Sequence, residues 1–180
     1  IRGFSWSLDG RFVAFWNNDE WYGTENKNSM HIYDVQTGAL KKLSVKATQP
    51  GDPELSPNGD RVAFANETYN PDTEGLYLIN ADGTGYQQMT DIEAHNYYPV
   101  YSPLGGSIVY SSNQDGGVFD LFLFVFEGAR LIRLTEGIGN VVSPSFSPDG
   151  TTILFANRAA EGPTSLWTIE NTGENSQLLY

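Results

Sequence analysis

The 180-residue sequence has no cysteine, two histidines and two methionines, and its 10 Lys and Arg are outnumbered by 22 Asp and Glu. Without cysteine there is no disulfide scaffold, no thiolate zinc site and no cysteine nucleophile. A formal charge of -12 at pH 7 excludes nucleic acid or an anionic membrane surface as the main partner, since both need a basic face, and Lys41-Lys42 is the sole basic cluster. No run reaches the roughly 18 apolar residues that a spanning helix needs, so no membrane insertion is expected. The most apolar stretch, Val118 to Phe126, is strand-length and interrupted by Asp120. The chain does not open on Met or on a signal peptide. Ile1-Arg2-Gly3-Phe4-Ser5-Trp6-Ser7 reads as the inside of a strand, and the sequence is expected to be a processed or excised piece.

What is abundant points one way. Nineteen glycines, many Asn, Ser and Thr, and 13% aromatics favour short strands joined by turns, so the fold class is all-β. A chain of this length buries roughly 70% of its unfolded surface, enough for a core without staples.

Four segments carry the same phrase: Ser7-Leu8-Asp9-Gly10, Ser56-Pro57-Asn58-Gly59, Ser102-Pro103-Leu104-Gly105 and Ser147-Pro148-Asp149-Gly150, with serines 49, 46 and 45 residues apart. Six residues after each serine begins an apolar triplet: Val13-Ala14-Phe15, Val62-Ala63-Phe64, Ile108-Val109-Tyr110 and Ile153-Leu154-Phe155. A third apolar segment follows in each unit (around Ile32, Leu78, Leu123 and Thr168), then a Gly-containing turn, then a short strand ending near Leu43, Met89, Leu134 or Leu178. Pro presets φ, Asp or Asn tolerates the next position, and Gly takes a left-handed conformation, so the phrase predicts a hairpin between a first and a second strand. Four units of about 45 residues, each with four antiparallel strands, predict the blades of a β-propeller within a single domain, at approximately 1–45, 46–91, 92–136 and 137–180.

Ser-Pro-Asp-Gly followed by Val-Ala-Phe, then Leu-Tyr-Leu-Ile, Asp-Gly and Gln-Met-Thr, resembles the WD-repeat-like propeller repeat of the TolB family. That repeat also occurs in the propellers of prolyl-oligopeptidase-type peptidases and oligogalacturonate lyases. The resemblance covers essentially all 180 residues. Leu8 replaces Pro in the first unit, and Leu104 replaces Asp in the third, with an extra Gly106. Such propellers usually carry six blades. Four blades therefore imply a complete four-bladed ring, half of a dimeric eight-bladed ring, or a fragment of a larger propeller, and open blade faces imply a homo-oligomer.

Neither catalytic association of the family leaves a mark here. There is no Gly-x-Ser-x-Gly elbow, and two histidines cannot make the multi-histidine metal site of the lyases, so no catalytic residue is assigned and no resident metal or cofactor is expected. The connections leading into each first strand are expected at the channel mouth. They supply Gln49, Asp52, His95, Asn96 and Asn140 as a polar ring for a peptide segment or, through oxygen ligands, for calcium; mutual hydrogen bonding is the plainer reading. The longest insertion supplies Asp19, Glu20, Trp21 and Tyr22 as a contact surface; the alternative is that Trp21 and Tyr22 cap the blade edge. His31 opens an apolar strand and reads as structural. Asn80-Ala81-Asp82-Gly83-Thr84 reads as a hairpin turn, and Asn66-Glu67-Thr68 matches a glycosylation sequon in form. The function implied is a non-catalytic scaffold for a protein or peptide partner, in the periplasm or outside the cell. The alternative is the propeller portion of a larger enzyme.

Overall fold

A computed structural model describes residues 2–18, 28–45, 51, 53–66, 75–90, 94–159 and 162–180. The described chain is all-β and falls into two compact units, Ile1–Glu93 and Ala94–Tyr180. The first unit holds blade 1, made of β1 (Arg2–Trp6), β2 (Phe12–Asn18), β3 (Asn28–Asp34) and β4 (Leu40–Leu43), and blade 2, made of β5 (Glu54–Leu55), β6 (Arg61–Asn66), β7 (Gly75–Asn80) and β8 (Gln87–Gln88). In the second unit, blade 3 comprises β9 (Asn96–Tyr101), β10 (Ser107–Ser112), β11 (Asp120–Val125) and β12 (Arg130–Arg133). Blade 4 comprises β13 (Asn140–Phe146), β14 (Thr152–Arg158), β15 (Ser165–Glu170) and β16 (Gln177–Leu178). Each blade is a four-stranded antiparallel meander in chain order, so the four repeats are four propeller blades.

The repeated phrase forms the turn between the first two strands of every blade. The N–H groups of Gly10, Gly59, Gly105 and Gly150 donate to the carbonyls of Ser7, Ser56, Ser102 and Ser147 at 2.8–2.9 Å, with glycine φ between 71° and 74°. The serine hydroxyl explains its own presence. In blades 1, 2 and 4 it donates to Asp9, Asn58 or Asp149 Oδ1 at 2.6–2.9 Å, and it accepts the N–H of Phe12, Arg61 or Thr152 at 2.9–3.0 Å. It thereby ties the turn to the start of the second strand.

These bonds set the acid sensitivity of the turns. The Ser147 hydroxyl, helped by the Thr151 N–H and hydroxyl, holds the Asp149 carboxyl down from 3.8 to about 2. A carboxylate lowered on folding stabilises the fold above its unfolded value, and that contribution disappears as pH falls through the folded value. The blade 4 turn is therefore expected to loosen only as pH drops from about 4 toward 2, with Asp9 and Asp82 shifted in the same direction by Ser7 and Thr84. Carbon-detected NMR titration of Asp149 checks this; a midpoint at the ordinary 3.8 contradicts it.

Strand alternation sends one face of each sheet to its neighbour in the same unit. In the first unit Ala14, Trp16, Met30, Ile32 and Leu43 of blade 1 pack on Leu55, Val62, Phe64, Tyr77 and Ile79 of blade 2, with Trp16 edge-on to Phe64 at 5.3 Å. In the second, Val109, Leu121, Leu123 and Leu134 pack on Val141, Ile153, Phe155 and Ile169. Asn66 is buried at the end of β6 at 1% exposure, which closes the sequon to modification in the folded protein.

Candidate functional site

The strands of a blade run antiparallel, so the β2–β3 type of loop and the connection into each first strand share one end. In the second unit that end is built on an irregular first strand. Tyr98 and Ser143, each preceding a proline, have φ of 56° and 53°, and Gly3 at the matching position of blade 1 has φ 50°. The pairing of the first strands of blades 1, 3 and 4 shifts register there. A left-handed conformation costs a residue with a side chain roughly 1–2 kcal/mol. The bulge re-aims the strand, and the Tyr98 and Ser143 side chains both emerge exposed.

Around Tyr97 the rings of His95, Tyr98 and Phe119 gather. His95 lies parallel to Tyr97 at 6.2 Å, Tyr97 meets Tyr98 at 6.1 Å, and Phe119 at 5.3 Å. Phe119 comes from the β10–β11 loop and is held by the neighbouring blade: its N–H donates to Asn140 Oδ1 at 3.2 Å, and its carbonyl accepts the Val141 N–H at 2.9 Å. The backbone of His95 is clipped by Asn113, whose Oδ1 accepts the His95 N–H at 2.8 Å and whose own N–H returns to the His95 carbonyl at 3.3 Å. His95 is exposed.

Of the expected ring, then, His95 and Asn140 come together through Tyr97 and Phe119. Asn96 lies behind them at 2% exposure, its Nδ2 donating to the Ala94 carbonyl at 2.7 Å and its Oδ1 buried without a partner. Gln49 and Asp52, and the insertion residues Asp19, Glu20, Trp21 and Tyr22, lie outside the described residues. Asn140 is seated by a close approach of backbone to side chain. Asn157 donates to the Ile138 carbonyl at 2.8 Å and lies against Gly139 (φ 136°), where any Cβ would collide with Asn157 Oδ1. Asn157 stands ten residues after its serine, as do Asn17 and Asn66, a recurrence the four-residue phrase does not reveal.

A sequence profile of the TolB beta propeller domain matches residues 3–179. The chain belongs to that family. Among its relatives, the Tol-Pal system protein TolB of Francisella tularensis is 27% identical over 160 residues, which is 87% of this chain and 35% of that protein. Dipeptidyl-peptidase 5 of Porphyromonas gingivalis is 31% identical over 105 residues, 56% of this chain and 15% of the peptidase. The chain thus spans about a third or less of these relatives. TolB of Acinetobacter baumannii superimposes with a TM-score of 0.77 over 98% of this chain and 42% of that one; at 18% identity the likeness speaks for the fold.

One polar group in this TolB-family chain was invisible to local pattern. Asp120 opens β11 at 2% exposure, and its carboxylate accepts from Arg133 Nη2 at 2.6 Å, Thr135 Oγ1 at 2.8 Å and the Gly137 N–H at 3.0 Å. Arg133 also faces Asp115 at 3.3 Å and Glu136 at 3.9 Å, and these carboxylates, Asp120 first, raise its pKa. At the register positions of Asp120 the other blades have Ser29, Gly75 and Ser165. A carboxylate whose lone pairs are taken by a guanidinium, a hydroxyl and a backbone N–H is a clasp between β11, β12 and the following connection. Among the described residues no three His, Asp or Glu side chains gather as a metal site.

Proposed function

We propose that this TolB-family propeller module binds a protein or peptide segment across the blade end that carries His95, Tyr97, Tyr98, Phe119 and Asn140. The observation that carries the reading is the exposed Tyr98, held in a strained left-handed conformation against Tyr97, whose ring in turn stacks on His95 and meets Phe119 at a tilt. Strain of this kind concentrates at binding and catalytic sites, and rigid aromatic surface costs little entropy on binding. The net charge of -12 favours a partner of basic or polar character. Asn96 backs this surface, Gln49 and Asp52 are proposed as contacts of the first unit, the insertion residues Asp19, Glu20, Trp21 and Tyr22 as a second contact surface, and residues 1–180 as one propeller module. The family resemblance supports a periplasmic or extracellular setting.

Selection from a displayed peptide library tests it. Selected peptides are expected to lose about tenfold in affinity or more on Tyr98→Ala or His95→Ala, a loss of ~1.4 kcal/mol. A library that yields no binder, or binders indifferent to both variants, sinks the reading.

The similarity to dipeptidyl-peptidase 5 favours a second reading, that the module belongs to a larger enzyme and positions substrate for its catalytic domain. A flanking α/β-hydrolase domain with a Gly-x-Ser-x-Gly elbow in the full gene is what that reading requires.

A further inference from the structure

Each unit holds one seam between two blades, and the two seams differ at one end. Five residues after the serine of the phrase stand Phe12 in blade 1 and Ser107 in blade 3, at the start of the second strand and on the face turned to the next blade. Phe12 packs against the core of the first unit, its ring so close to Gly59 in the phrase of blade 2 that a Cβ there would collide with it. The Arg11 guanidinium covers that ring at 4.7 Å and pairs with Asp34 at 2.9 Å. Ala81, just after β7, packs on the same core. This end of the first seam is filled.

In the second unit the same end stays open. Ser107 brings no ring, Gly106 stands in the place of Arg11, and Asn171 in the place of Ala81, its Nδ2 turned back onto the Gly150 carbonyl at 2.8 Å. The result is a cleft of about 650 Å³ between blades 3 and 4. One wall is Leu123, Val125 and Ile132, continued by Phe126, which Tyr101 stacks on at 6.1 Å and Phe124 meets edge-on at 5.5 Å. Gly150, the counterpart of Gly59, lies across from it. Val125 pairs with both Ser107 and Arg130, so the row of Ser107 ends in an exposed guanidinium that also lines the cleft.

We propose that this cleft is a second peptide-binding site, at the end of blades 3 and 4 opposite His95 and Asn140, and that it takes a phenylalanine side chain presented by a segment of a partner protein. The occupant is read from the first unit. There the same seam, with the same glycine across from it, receives a phenyl ring under a guanidinium, an arrangement that cation–π attraction favours. The size of the cleft argues for a segment rather than a free ring. An apolar cavity of about 150 Å³ already holds benzene. The 650 Å³ here leaves room for the backbone that carries the ring, and Ser107, Asn171 and Thr172 supply polar groups to meet that backbone.

Methyl NMR titration of the 180-residue chain with N-acetyl-phenylalanine methylamide tests this, with N-acetyl-alanine methylamide and toluene as comparison arms. The phenylalanine probe is expected to shift the methyls of Leu123, Val125 and Ile132 saturably, with a Kd of about 1 mM. The alanine probe is expected to leave them in place, and toluene to bind more weakly. Ser107→Phe installs the ring that the first unit has at this position. It is expected to raise the thermal midpoint and to weaken the probe at least tenfold, with circular dichroism checking that the sheets remain. Arg130→Ala, at an exposed position, carries the test if Ser107→Phe does not fold, and is expected to weaken the probe about two- to fivefold. Toluene binding as tightly as the phenylalanine probe would assign the cleft to a small aromatic ligand and overturn the proposal. Shifts of equal size from the alanine probe, no saturable shift at these methyls, or undiminished binding by a folded variant would overturn it too.

Discussion

Trp16→Ala is expected to lower the stability of the first unit by about 3–5 kcal/mol, among the largest losses a single substitution here can cause. The indole is 1% exposed and stands edge-on to Phe64 at the seam of blades 1 and 2, so truncation removes contacts on both sheets and leaves a cavity that β-strands pinned by ladder bonds cannot collapse. Its Nε1–H is buried without an acceptor. An unmade buried hydrogen bond costs about 1–3 kcal/mol, so the wild-type residue carries a penalty that phenylalanine would not. Trp16→Phe keeps most of the apolar volume and sheds that penalty, and is expected to fall within about 1.5 kcal/mol of the parent. Urea unfolding followed by fluorescence of the remaining tryptophans separates the cases. Equal damage from both variants would show that shape at the seam outweighs the orphan N–H.

The seam itself was legible before any coordinates, and for a local reason. A turn such as Ser147-Pro148-Asp149-Gly150 is specified by four adjacent residues, and the apolar triplet that follows fixes the alternation of the second strand. Once the turns and triplets repeat, strand order and blade number follow. The candidate site was legible only in part, because it depends on backbone conformation and on register across strands. His95 and Asn140 were found from their place in the connections, yet Tyr97, Tyr98 and Phe119, which join them, read as ordinary strand and loop aromatics. The left-handed φ of Tyr98 and Ser143 runs against what a residue before proline ordinarily adopts, so local preference pointed the other way. Asn96 looked like its neighbours in a polar loop, but strand alternation turns it inward while His95 stays out.

Asp120 illustrates the same limit with a larger energetic consequence. Read along the chain it is one acid interrupting an apolar strand; read across the sheet it is the acceptor that three donors from β12 and beyond converge on. Asp120→Ala leaves the Thr135 hydroxyl and the Gly137 N–H facing an empty site and removes the carboxylate from Arg133, with an expected loss of about 2–4 kcal/mol. Asp120→Asn retains an acceptor for one of the neutral donors and is expected to lose less. The family repeat supplies a sharper control. Blade 4 holds the same register positions with Ser165 and Leu178 in place of Asp120 and Arg133, without any ion pair there. The double variant Asp120→Ser with Arg133→Leu is therefore expected to recover a good part of what Asp120→Ala alone loses, since it removes the buried acceptor and its charged partner together. Chemical denaturation of the single and double variants forms the cycle. If the double variant is as unstable as the sum of its parts, the clasp contributes through packing rather than through mutual satisfaction of its polar atoms. Because Thr135 also accepts the Leu121 N–H at 2.9 Å, a loosened clasp is expected to reach the start of β11, and through Phe119 and Asn140 the aromatic surface proposed to bind the partner. Peptide affinity measured on Asp120→Ala would then fall even though Asp120 touches no ligand.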